Sequence, residues 1–197
     1  MADVKQFKVH AHEDILIHND LSNAAFHFKR SIEHRLADDE RSGLSFEVMA
    51  GATMLAFANE ARFNFLGYQL KGDDWDERKP AMKKIYVVLE LLGLTPDFNS
   101  EPYSYLQVLK NFRDTLAHGK PEHREFSDEF CGTEEDLLNL LDLKAKWEEY
   151  LDPEFFTKAY DASEEIWKEL LELAGLDLME TLSGGGSHIE LIREASE

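Results

Sequence analysis

A chain of 197 residues, 43% of them hydrophobic, carries enough apolar material for one well-filled core and too little for several domains. Forty Asp and Glu against 21 Lys and Arg give a formal net charge of −19, which repels polyanions at long range and lacks the basic footprint of a free-standing nucleic-acid binder. The single cysteine, Cys131, excludes a disulfide framework and a cysteine-based structural zinc site.

The start, Met1–Gln6, has no apolar h-region, and no apolar run approaches the roughly 20 residues of a membrane span. A soluble, cytoplasmic protein without membrane association is therefore expected. Residues 1–18 read as an extended N-terminal arm, because Phe7, Val9 and Ala11 alternate with polar neighbours. A first helix is expected over roughly 19–40, with Leu21, Ala24, Ala25, Phe28 and Ile32 as its apolar stripe, until Ser42-Gly43 breaks it. The second, from about Ser45 to Leu70, is apolar on more than one face and belongs at the centre of the fold.

A third helix spans about Pro80 to Leu92, with Pro80 in its first turn and Gly93 as its stop. Ser100 is a candidate cap for the fourth, which carries Tyr105, Leu106, Leu109, Phe112 and Leu116 at three- and four-residue steps and ends at Gly119 and Pro121. A charged connection over 120–132 follows. Thr133 with Asp136 forms a box-like start for a fifth helix running through Leu137, Leu140 and Leu141 to Trp147. Asp152-Pro153-Glu154 opens a sixth, which stops at Gly175. Gly184-Gly185-Gly186 reads as linker to a short tail. The expectation is an all-α, single-domain, up-and-down bundle of about six helices over 19–176, with an arm at 1–18 and a Gly-rich linker and tail at 177–197.

Chemistry concentrates at the end of the fourth helix, in Phe112-Arg113-Asp114-Thr115-Leu116-Ala117-His118-Gly119-Lys120. Arginine holds an oxyanion at any ordinary pH, and histidine moves protons near neutrality. With eight Arg and eight His in the chain, one such spacing is expected about once by chance, so the bare pattern is weak. At about 100° per residue Asp114 and His118 share a face, whereas Arg113 lies about 140° from His118. Convergence needs either an unwound helix end near Gly119 or two copies of the helix meeting across a two-fold axis. The plain alternative is a histidine favourably placed on exposed carbonyls at a helix C-terminus, commonly worth about 0.3–1 kcal/mol.

That segment resembles the Arg-polar-x3-His signature of the HEPN superfamily (higher eukaryote and prokaryote nucleotide-binding domains). The apolar run ending in an acidic residue, Leu55-Ala56-Phe57-Ala58-Asn59-Glu60-Ala61, is also similar to the family's second helix. The likeness spans roughly residues 20–175. It implies a four- to five-helix HEPN-like core, dimerisation through the helix carrying Arg113 and His118, and metal-independent RNA cleavage to a 2′,3′-cyclic phosphate and a 5′-hydroxyl. His118 is then general base or acid, Arg113 stabilises the phosphorane and Asp114 orients either. Lys120 and Glu60 are the expected substrate-side residues. No cofactor or metal is implied. A toxin or phage-defence role follows from the resemblance alone. The acidic balance departs from an RNA-binding pattern and keeps a second implication open: a non-catalytic binding or scaffold module with a basic protein partner.

Other features read as structural. His10, His12 and His18, with Glu13, Asp14 and Asp20 nearby, are taken as a solvated arm rather than a metal site. His27 and His34, which share a face with Arg30, read as helix surface. Trp147, Trp167, Phe155 and Phe156 read as packing residues. Charged Arg62 and Glu60 inside an apolar helix must find partners; Glu60 either supports the Arg113 site or holds an internal salt bridge, and the structural role is favoured.

Overall fold

The computed structural model describes residues 5–127, 129–141 and 145–194. The first four residues of the expected arm, position 128 of the charged connection, 142–144 of the expected fifth helix and 195–197 of the tail lie outside the described residues. Among the described residues, six α-helices make the body: α1 (Ile17–Ala37), α2 (Leu44–Lys71), α3 (Ala81–Leu91), α4 (Ser104–Ala117), α5 (Glu134–Leu141) and α6 (Pro153–Ala174). None is long and apolar enough to cross a membrane.

Helix α2 is the central element, touching α1, α3, α4 and α6. Its apolar residues feed both halves of the core: Val48, Ala52 and Leu55 are buried in one, Phe63 and Leu66 in the other. One half of the core gathers Ile32, Val48, Leu55, Phe112 and Phe156; the other gathers Phe63, Leu66, Val88, Leu106 and Trp167. Two glycines allow the close approach. A Cβ at Gly51 would stand 2.5 Å from the Phe156 ring, and one at Gly67 would stand 2.3 Å from the Trp75 indole. Phe155 and Trp147 are partly buried against the first cluster, which agrees with their reading as packing residues.

Helix ends follow their local chemistry in most places. Asp152 accepts from the backbone N–H groups of Glu154 and Phe155, Pro153 occupies the first turn of α6, and Gly175 takes the left-handed conformation past its end. Two expected boundaries change. Ser100 does not cap α4, because its hydroxyl donates to Asp97 Oδ2 at 2.8 Å. The helix starts at Ser104, beyond Pro102. The fifth helix is shorter than its apolar spacing suggests, and Trp147 sits in a separate 3₁₀ turn, Lys146–Tyr150.

The all-α expectation holds for the helical body and is qualified by two strands. Lys5–Asp14 (β1) and Gly184–Glu194 (β2) pair antiparallel as a two-stranded ribbon, with Val9 opposite Ile189 and Phe7 opposite Leu191. The alternation of the arm was legible, but its partner lies at the other end of the chain. The three glycines are strand residues instead of linker: a Cβ at Gly185 would stand 2.4 Å from the His12 carbonyl oxygen, so only glycine fits that approach. At the ribbon's base, Leu16 N–H donates to Ser183 Oγ at 2.8 Å, and Asn19 Nδ2 donates to the Thr181 carbonyl at 2.8 Å.

Candidate functional site

Arg113 is placed on α4 so that its guanidinium reaches inward, towards α2. It pairs with Glu60 and donates to Asp114 Oδ1 at 2.9 Å, and its charged carbon lies 5.6 Å from the centre of the Phe57 ring. The spacing of α2 explains this meeting: Phe57 and Glu60 are three residues apart and share one helix face. Glu60 accepts a second bond from Lys84 of α3, 2.7 Å away, and Lys84 also donates to the Glu77 carbonyl at 3.2 Å. Asp114 in turn accepts from Lys110 at 2.9 Å, one helical turn earlier.

The result is a continuous chain of alternating charge, Lys84–Glu60–Arg113–Asp114–Lys110. Three cations to two carboxylates leave it one positive charge in excess, inside a molecule of formal net charge −19. Lys84 is 2% exposed, so its ammonium depends on these partners for the solvation it has lost. The buried Arg113 Nε has no hydrogen-bond partner among the described residues. Lys84, Glu60, Lys110 and Arg113 border one small cavity between α2, α3 and α4.

His118 lies elsewhere. It is the exposed C-terminal cap residue of α4, with φ −119° and ψ 22°, and its backbone N–H still donates to the Asp114 carbonyl at 2.9 Å. The helix therefore holds its course up to His118 and does not unwind to swing the imidazole towards Arg113. His118 borders an open groove with Asn111, Asp114, Thr115, Lys120 and Trp147. Within one copy, Asp114 and His118 share this groove, and Arg113 and Glu60 belong to the cavity behind it. Asp114 joins the two, with its carboxylate on Arg113 and its side chain at the groove wall.

Sequence reasoning missed Lys84, Lys110 and the groove position of Trp147. For Lys84 a signal existed. It stands four residues before Val88 and beside Ile85, on the buried face of an amphipathic helix where a lysine must find an anion. Arg62 found its expected partner in Glu164 at 2.5 Å, and also lies 5.2 Å from the Trp167 ring. His27 and His34 are exposed, as a helix-surface reading requires. Comparison with family models, curated protein sequences and solved structures finds no match for this chain.

Proposed function

We propose that the chain is a HEPN-type, metal-independent endoribonuclease whose cleft is completed by a second copy of α4. The observation that carries this reading is the Arg113–Glu60 pair. The two segments that resemble the family, 53 residues apart, meet at one ion pair, and each supplies the residue quoted for the resemblance. A packing-only account of Glu60 does not require Arg113 as its partner. The local excess of positive charge fits a phosphate-binding task on an otherwise acidic protein. So does the unpaired Arg113 N–H.

In this reading Glu60 and Asp114 fix the guanidinium plane, and the RNA phosphate takes the place of one carboxylate when it binds. His118 lies within the same groove as Asp114 and moves the proton, as base on the 2′-hydroxyl or acid on the leaving 5′-oxygen. Lys120 neutralises a flanking phosphate. Because a single copy keeps Arg113 and His118 apart, the pairs of two copies pool across a two-fold axis.

The test is cleavage of total cellular RNA by the purified chain at its measured oligomeric state, with end-group analysis of the products. Cyclic phosphate and 5′-hydroxyl ends are expected, with a rate loss of at least about 10²-fold in both His118→Ala and Arg113→Ala, the usual scale for a lost acid–base group. Cleavage that survives His118→Ala, or no cleavage by the dimer, removes the proposal.

A second reading is favoured by the same ion pairs. With both Glu60 and Asp114 engaged, Arg113 is neutralised in place, as it would be in a non-catalytic module whose acidic surface binds a basic protein. An inert chain that nonetheless captures a basic partner in a salt-sensitive manner supports this reading.

A further inference from the structure

The ribbon brings together three imidazoles from opposite ends of the sequence. His10 and His12 are separated by one residue and so project from the same face of β1. His188 of β2 is the direct antiparallel partner of His10. Directly opposed residues hold their Cβ atoms about 4.5–5.5 Å apart, so His10 and His188 are within reach of one shared ion. The ring of His12 leans across to β2. A Cβ at its partner Gly186 would stand 3.0 Å from His12 Cε1, so the missing side chain at 186 gives that ring its place. Among the described residues no three potential ligands are already gathered around a point. All three rings are exposed, however, and rotation between staggered rotamers is open to them.

We propose that this face binds one divalent transition-metal ion, zinc foremost, through His10, His12 and His188. Three neutral imidazoles form a complete protein set for a tetrahedral zinc site, with the fourth position taken by water. Asp14 lies on the same face two residues from His12 and adds cation attraction to that of the whole acidic molecule, whereas Glu190, two residues from His188, stands opposite Lys8, which offsets its charge. The bound ion staples β1 to β2. Such a link matters because a lone two-stranded ribbon is marginal in water. The site is separate from the groove at His118 and does not depend on the ribonuclease reading.

The experiment uses the untagged, full-length chain, stripped with chelator and titrated with zinc chloride by calorimetry near neutral pH. One ion per chain is expected. Binding should weaken at least tenfold in both His10→Gln and His188→Gln, with unchanged far-ultraviolet circular dichroism. It should be unaltered in the His34→Gln, His123→Gln double variant, whose exposed imidazoles lie on α1 and in the 120–132 connection. Zinc should also slow proteolytic trimming of β1 in the parent chain and not in His188→Gln. No binding below millimolar zinc overturns the proposal. So does binding that persists when His10 and His188 are both replaced, or that falls equally in the control variant.

Discussion

Glu60 stands between two cations of different dependence on it. Arg113 keeps Asp114 as a second carboxylate, whereas among the described residues Lys84 has the Glu77 carbonyl alone besides Glu60. Removing one member of a buried pair typically costs about 3–5 kcal/mol. Part of that is recovered here because Glu60 is itself partly accessible to water. Glu60→Gln should therefore destabilise by on the order of 2 kcal/mol, and Lys84→Met, which leaves Glu60 paired with Arg113, by less than about 1.5 kcal/mol. Urea denaturation of the two variants measures the difference, and equal costs would contradict the asymmetry. At this scale the sequence told much about kind and little about pairing. That Arg62 and Glu60 needed partners followed from charge inside an apolar helix. That the partners would be Glu164, Arg113 and Lys84 depended on how α6, α4 and α3 each cross α2, which no local pattern encodes.

Among the elements, α2 carries the tightest constraint. A methyl at Gly67 would overlap the Trp75 indole, which is itself buried and backed by the second half of the core. Alanine favours a helix interior over glycine by about 1 kcal/mol, but overpacking of this kind costs about 1–3 kcal/mol. The indole has little room to withdraw, so Gly67→Ala should lower the melting temperature despite the better helix former, as a thermal unfolding series would show. Element boundaries were legible where chemistry marks them, as at Asp152-Pro153 and Gly175. They were not where side chains found other work, as Ser100 did with Asp97. The ribbon was half legible: alternation at Phe7, Val9 and Ala11 marks a strand, yet glycines at 184–186 signify flexibility until a close-packed backbone is seen beside them.

On the scale of the whole molecule, His18 couples both ends of the chain to the body. Its ring is 3% exposed and lies against Phe65 and Trp167, and Nε2 donates to the Thr181 carbonyl at 3.0 Å. Burial, and then the nearby Arg62 charge, hold its pKa below 6.5, against a smaller opposing effect of the carbonyl bond. Well above pH 6.5 the ring is neutral in both folded and unfolded chains and contributes no pH dependence. As pH falls through 6.5 the unfolded chain binds the proton first, so stability declines until the pH is below the lowered native value. Chemical denaturation between pH 7 and 5 should show this loss, with a shallower slope in His18→Gln. A histidine read as part of a solvated arm is thus an interior clamp, because the helix starts at Ile17 and turns it inward. The pairing of β1 with β2 has a further consequence for folding order. Helical contacts are local and form early, whereas Asp14 meets Gly184 only after everything between them has been folded back. Ribbon closure is consequently expected late, with the β1 amides gaining protection from solvent deuterium after those of the helices during refolding.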